Sequence, residues 1–463
     1  MAAVLALVAA LPAVLAATAP AFAPPGAGPQ FQSGNYTGPS NGTLQNGPVV
    51  PGVAFDRIIQ LWFENTDFAV ANSSSVFQQL AKQGILATNF VAVTHPSEPN
   101  YAAVVGGDFW GMGDDNLHFI PSNISTVVDL LDTKNISWGS YQENMPYDGY
   151  PDYNYTQPNY LNSSAPPYTY YVRKHNPLIL YDNIANVPAR AQRIRNFNDF
   201  AVDLGNNTLP QWSFITPNLV NDAHDTTIDF AGDFITYWLL PLLNNTNFNN
   251  NRTLIILTFD ENETYGEQNF IWTLFFGNAV PQSLWGTEDP TFYSHYSCIS
   301  SVSANWGLGS LGRGDVNKTM SNVFDWMITS AGVNYTNLDV PNPPLTNLTG
   351  NIPGPENPQY YVPFLAPINA TGAGGGPLFI SPGTNLSLTA ANAPAPANLT
   401  ALGETLPGST PDTTSSAGSS PSGSGSAGGA APSGSGSASS AASIRVGAAT
   451  LLMGALAAIA FCL

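Results

Sequence analysis

The sequence predicts an α/β fold whose strands deliver polar side chains to one edge of a sheet. Three observations point there. Apolar, strand-length runs at residues 55–63 and 252–259 stop abruptly at Glu64-Asn65 and Asp260-Glu261, and runs without polar alternation are those buried on both sides of a sheet. Helix candidates at residues 76–84 and 230–243 fall between such runs, the alternation expected of α/β proteins. The 463 residues leave room for one large domain with appendages or for two modest domains.

In chain order, residues 18–52 are rich in Pro, Gly, Asn and Ala without periodicity and read as an extended leader. The main folded domain is placed at 53–340. Its first strand, 55–63, carries Glu64 and Asn65 to the position where open α/β sheets bind ligands. A helix over 76–84, stopped by Gly84, precedes a second strand over 85–93. That strand runs into Thr94-His95-Pro96-Ser97-Glu98-Pro99-Asn100-Tyr101. Two prolines stiffen the backbone on either side of Ser97, and the small apolar residues that follow suit a helix. Ser97 would then stand at a helix N-terminus, where N–H groups and the dipole favour an anion. A helix-capping serine in a turn is the structural alternative.

A strand over 136–141 leads to Glu143-Asn144, and the Tyr-, Pro- and Asn-rich residues 147–171 read as a loop walling a cleft. The loop ends in Arg173-Lys174-His175-Asn176-Pro177. A strand over 212–217 precedes Asn221-Asp222-Ala223-His224-Asp225, and 270–276 continues the sheet before Tyr293-Ser294-His295-Tyr296-Ser297. Beyond it lie a Pro/Asn/Gly-rich extension at 341–406 and a Ser/Gly/Ala/Pro stalk at 407–440.

The two ends read as targeting segments. Residues 1–17 are almost entirely Ala, Val and Leu and close on a small-residue site, as in a signal peptide. Residues 441–463 end in an apolar tail after a polar spacer, as in a GPI-anchor signal removed on attachment to lipid; a C-terminal membrane helix is the alternative. Asn-X-Ser/Thr sequons recur from Asn35 to Asn398, which predicts many N-glycans and a secreted, cell-surface or cell-wall location. The formal net charge of −19 excludes nucleic acid as a natural partner. With only Cys298 and Cys462 present, and the second in the removable tail, no internal disulfide is expected, and Cys298 reads as a small buried hydrophobe.

Of the five histidines, His95, His175, His224 and His295 fall inside the polar clusters, and only His118 does not. With Glu64, Asp222, Asp260 and Glu261 they make the inventory of a metal-assisted hydrolase acting on an anionic substrate. These clusters, from Glu64-Asn65 through His95-Pro96-Ser97-Glu98-Pro99-Asn100-Tyr101, Lys174-His175-Asn176-Pro177, Asp222-Ala223-His224-Asp225 and Asp260-Glu261-Asn262 to His295-Tyr296-Ser297, resemble in order and spacing the phosphoesterase family of secreted fungal acid phosphatases and bacterial phospholipase C enzymes.

The resemblance implies an alkaline-phosphatase-like three-layer sandwich with a central, mostly parallel sheet. It implies a divalent metal ion held by Glu64, Asn65, Asp260 and Glu261, and Ser97 as the nucleophile, with His224 and His295 assisting catalysis. His95, Asn100, Lys174, His175 and Asp222 would bind the substrate. In the related nucleotide pyrophosphatases a histidine stands where this chain has Glu261, so the implied ligand set is all oxygen and suits a harder cation than zinc. The implied reaction is hydrolysis of small phosphate monoesters through a phosphoserine, with protonated imidazoles favouring an acidic range. A phosphodiesterase or phospholipase C on the same core, and a non-catalytic wall glycoprotein, are the alternatives.

Overall fold

The two long apolar runs lie side by side. In a computed structural model of the chain, which describes residues 42–159, 162–343 and 352–407, the strands in chain order are Arg57–Phe63 (β1), Gly84–Ala87 (β2), Phe90–Val91 (β3), Trp138–Gln142 (β4), Asn154–Gln157 (β5), Tyr168–Val172 (β6), Ile194–Asn196 (β7), Trp212–Thr216 (β8), Thr253–Phe259 (β9), Thr273–Phe276 (β10), Thr287–Asp289 (β11) and Tyr293–Ser294 (β12). β1 and β9 pair in parallel from Arg57 opposite Thr253 to Phe63 opposite Phe259. Every residue of both is buried, which is why neither shows alternation.

They form the centre of an eight-stranded sheet of order β11-β2-β10-β9-β1-β8-β4-β7. Only β10 runs against the rest. The expected α/β class with a mostly parallel sheet is therefore the one observed. Because β1, β4, β8 and β9 share one direction, the residues that follow them emerge at one edge: Glu64, Glu143, Asp222 and Asp260. Three neighbours of these acids have left-handed backbone, Asn65 at φ 22°, Asn144 at φ 63° and Ala223 at φ 84°. Non-glycine residues avoid that region, and such departures concentrate where a fold positions functional groups.

The connections differ from expectation in identifiable ways. The helix expected over 76–84 spans Ser75–Ala81, preceded by a shorter one at Phe68–Ser73, and Gly84 opens β2 instead of ending the helix. The run 85–93 divides, β2 joining the main sheet and β3 pairing with β12 in a small separate one. The segment read as a loop over 147–171 contains the antiparallel pair β5–β6, whose Tyr-Thr-Tyr-Tyr-Val strand is a β-favouring composition. The helix over 230–243 becomes Ile228–Phe234, a π-helical turn at Ile235–Leu239 and a last turn at Leu240–Leu243.

Ser97–Gly106 is a helix buried along its whole length and ended by Gly107 at φ 75°, the left-handed C-cap that glycine adopts without strain. It is packed so tightly that a Cβ on Gly106 would fall 1.8 Å from the Tyr181 hydroxyl oxygen.

The extension is not detached from the domain. Its residues from 352 onward lie along the body, with Ile368 N–H donating to Gly312 O at 2.8 Å and Phe379 N–H to Ser310 O at 2.9 Å. The Phe364 ring sits 5.1 Å from that of Trp110. The segments read as signal peptide, stalk beyond 407 and anchor signal, and the leader up to residue 41, lie outside the described residues. Among the described residues no helix is long and apolar enough to cross a membrane. The sequon at Asn262 is closed to glycan, because Asn262 is 2% exposed and its Nδ2 donates to Thr264 O.

Candidate active site

Ser97 begins its helix with the hydroxyl facing the sheet edge. Its Oγ lies 3.3 Å from Glu64 Oε2, 3.4 Å from Asn65 Oδ1 and 3.5 Å from Glu261 Oε1. Asn65 N–H donates to Asp260 Oδ1 at 3.2 Å, which locks the β1 tip to the β9 tip. Glu64 is further held by the Tyr101 hydroxyl, one helical turn after Ser97, and by His175 Nε2 at 3.2 Å. The other His175 nitrogen faces Asp222 Oδ2 at 3.7 Å, and the Tyr101 ring stacks on the imidazole. His95 Nδ1 meets Glu261 Oε2 at 2.6 Å. Lys174 Nζ lies 2.9 Å from Asp115 Oδ2 and 3.2 Å from His224 Nε2, while His224 Nδ1 is 2.7 Å from Asp225 Oδ1.

Burial sets the electrostatics of this group. Glu64, Asp222, Asp260 and Glu261 are all shut off from solvent. Desolvation, reinforced by the repulsion of neighbouring acids, holds Glu64, Asp222 and Glu261 well above the usual carboxylate range, and desolvation, opposed by its hydrogen bonds and by Lys174, pushes Asp260 up to about 6. Burial also drives His175 well below its ordinary value, helped by Lys174 and His224, so its imidazole is neutral. Burial opposes the charge of Lys174, but Asp115, Glu64 and Asp260 outweigh it and raise its pKa.

The residues fit a divalent cation. The Oδ2 atoms of Asp222 and Asp260 are buried without a hydrogen-bond donor, a costly arrangement that a bound ion relieves. Glu64, His175 and His224 present donor atoms within 4.8 Å of one another. The Glu64 Oε2 that faces His175 Nε2 also lies 3.3 Å from the serine oxygen, which Asn65 and Glu261 approach in turn, with Asp260 bonded to Asn65 N–H. The expected all-oxygen set left out the two imidazole nitrogens that adjoin the same carboxylate, and a neutral His175 is in the protonation state a metal ligand requires.

Of the other residues expected at the site, two lie elsewhere. The Asn100 side chain is committed to its own loop: its Oδ1 accepts from Val93 and Thr94 N–H, and its Nδ2 donates to Thr94 and Pro96 O. It pins the loop that carries His95. His295 lies behind the β9 tip, fully buried against Trp62, with Nε2 2.7 Å from Asp260 O. Desolvation lowers it to about 3, so it stays uncharged and acts on the site by holding Asp260. The protonated imidazole expected at His175 is likewise replaced by a neutral one. The second N–H of the Ser97 helix is also spoken for, since Glu98 N–H donates to Asp115 Oδ1 at 2.9 Å. Asp115 and Tyr101 were not foreseen as site residues. Helical spacing places Tyr101 on the face of Ser97 and could have revealed it.

A hydroxyl presented at a helix start, among buried acids that need a cation and beside a charged lysine, suits nucleophilic attack on a phosphorus or sulfur ester. Comparison with known proteins narrows the choice. The chain is 52% identical over 315 residues to an acid phosphatase of Aspergillus fumigatus, covering 67% of each chain. It is 46% identical to a phosphate-repressible acid phosphatase of Penicillium chrysogenum, covering 64% of this chain and 72% of the relative, and 28% identical to a phosphatidylinositol-3-phosphatase of Mycobacterium tuberculosis, over 56% of this chain and 79% of that one. Among solved structures, a protein in the alkaline phosphatase superfamily from Vibrio parahaemolyticus is similar at a TM-score of 0.35 and 10% identity, over 57% of this chain and 68% of that one, a likeness too slight to bear on chemistry. The description Phosphoesterase family matches residues 67–309, a span that runs from just after Glu64-Asn65 through Ser97, His175, Asp222 and Asp260 to His295; the chain belongs to the Phosphoesterase family.

Proposed function

We propose that this chain is an acid phosphatase that hydrolyses phosphate monoesters through Ser97 at a site holding a divalent metal ion. The observation that carries the reading is the set of buried acids around Ser97 Oγ, with orphaned oxygens at Asp222 and Asp260. Glu64, Asn65, Asp260 and Glu261 are the proposed ligands, with His175 and His224 as nitrogen donors beside Glu64. When bound, the ion supplies the positive charge that favours an ionised serine and a charged phosphoryl group.

The chain's own residues do the rest. Ser97 Oγ forms the bond to phosphorus, the ester oxygen leaves as the alcohol after taking up a proton, and water then cleaves the phosphoserine to return the hydroxyl and release phosphate. Lys174 meets the charge on the phosphoryl oxygens. Glu64 is oriented by Tyr101 and His175, Glu261 by His95, and Asp260 Oδ1 by Asn65 N–H, while His295 holds the Asp260 backbone carbonyl.

The test is Ser97→Ala, assayed on p-nitrophenyl phosphate and on bis(p-nitrophenyl) phosphate. Turnover of the monoester should fall at least about 10³-fold with folding intact. Activity within tenfold of wild type rejects Ser97 as the nucleophile, and a wild-type preference for the diester favours the phosphodiesterase reading.

The same proposal places the enzyme outside the cell, N-glycosylated and held by a GPI lipid, with small phosphate esters as substrates for phosphate scavenging. Sequons along the domain and the apolar C-terminal tail after its Ser/Gly spacer support that placement. Release of activity from intact cells by a phosphatidylinositol-specific phospholipase C tests it. Activity that stays with the cells and extracts in detergent with Cys462 retained marks a membrane helix instead.

A further inference from the structure

A relay of charged groups, its His118 and Glu356 buried and its Asp114 half-exposed, runs from the extension to the edge of the site. Glu356 Oε2 lies 3.0 Å from His118 Nδ1, and His118 Nε2 lies 2.9 Å from Asp114 Oδ1. The next residue, Asp115, faces the other way. Its Oδ2 pairs with Lys174 and its Oδ1 accepts from the N–H of Glu98, the residue after the nucleophile.

The placement of Glu356 is built in. Its own N–H donates to Trp110 O at 3.0 Å, and Asn357 Nδ2 donates to Gly111 O at 3.2 Å. At Gly354 the two backbones approach so closely that a Cβ would fall 2.2 Å from Trp110 O. His118 is buried, which opposes its charge, but Asp114 and Glu356 outweigh that and raise it to about 10. It is an imidazolium held between two carboxylates, one from each segment.

We propose that Glu356 is a positioning residue for phosphate binding: through His118 it fixes the loop of Asp114 and Asp115, and so aims the Lys174 ammonium and steadies the first turn of the Ser97 helix. A lysine is a point charge on a flexible four-carbon stem, so its value at a phosphate depends on what confines it. Asp115 confines it here, and the extension confines Asp115. The inference rests on the reading of Lys174 as a phosphate contact.

The test uses the full chain and two readouts: the Kd of inorganic phosphate by calorimetry and the KM of p-nitrophenyl phosphate. Glu356→Ala should weaken both about fivefold to twentyfold, and Glu356→Gln, which still accepts from His118, should stay within about twofold. In a Lys174→Met background, Glu356→Ala should add less than about twofold, because the group it positions is gone. An unchanged phosphate Kd in Glu356→Ala, or losses that simply multiply in the double variant, overturns the proposal. Loss in Lys174→Met alone overturns the positioning role and leaves the function standing; loss in neither variant overturns both; and loss in Glu356→Ala alone shows that the effect does not pass through Lys174. Should Glu356→Ala not fold, His118→Gln, which cannot bridge both carboxylates, is read by the same criteria.

Discussion

Two clusters of buried acids can be set side by side. Around Arg195, a 2% exposed residue of β7, Asp203 Oδ2 lies at 2.9 Å, Asp199 Oδ1 at 3.1 Å and Asp148 Oδ2 at 3.3 Å. Tyr141 OH and Leu44 N–H add hydrogen bonds to Asp203. At the other cluster, Glu64, Asp222, Asp260 and Glu261 have no lysine or arginine nitrogen within 4 Å among the described residues; their ion partners at that range are His175 and His95. The first cluster carries its counter-ion in the covalent chain. The second is left short of positive charge, as a centre that takes up a cation and an anionic substrate must be. Residue type does not separate them, since both are sets of buried carboxylates. What separates them is whether the fold supplies the cation.

That contrast can be broken most directly at the second cluster. Asp260→Asn or Glu64→Gln should lose bound metal and about 10³-fold or more of the activity together; a folded Asp260→Asn enzyme with full metal content by elemental analysis rules out the proposed ligand set. The first cluster should respond in the opposite currency. Arg195→Met leaves buried carboxylates unpaired and should cost about 3–5 kcal/mol in denaturant unfolding while turnover per folded molecule is unchanged. A loss of activity without loss of stability would mean that the two clusters are not separate in role.

The smallest expected effect sharpens the comparison through pH. Asp260 has its folded value raised to about 6 from an ordinary 3.8, so the folded metal-free protein binds more protons than the unfolded chain between those values. Its stability should therefore fall as pH rises from about 4 to about 6. Metal should abolish that fall, because the ion rewards the ionised form. Thermal melts with and without chelator across this range decide it, and a metal-free protein that gains stability over the same interval contradicts the charge-starved picture.

Much of this arrangement was legible in the residues because the signals were local. The run 252–259 ends at Asp260 in the sequence and in space, and the cluster around Ser97 is contiguous. The meeting of His175 and His224 with Glu64 was not legible, since it depends on how β4, β8 and β1 align in the sheet. β7 and β11 are three residues each, too short for a period to register. Asn100 was misread because an amide beside a nucleophile looks the same whether it faces substrate or its own loop. The extension was read as an appendage for its Pro, Asn and Gly content, yet it docks through Phe364, Glu356 and isolated backbone hydrogen bonds that need no regular element.

Cys298 gives the molecule a reporter it did not evolve to provide. The thiol sits in the buried helix His295–Trp306, 2% exposed, and burial pushes it up to about 12. A thiol so placed does not meet an alkylating reagent while the core is intact. In a chain ended at Pro407 it is also the sole cysteine. Each labelling event then records one opening of the domain large enough to bare the helix that holds His295 against Asp260. Its rate under strong reagent measures how often the catalytic edge and the core come apart together, a clock for the kinetic lifetime of the fold.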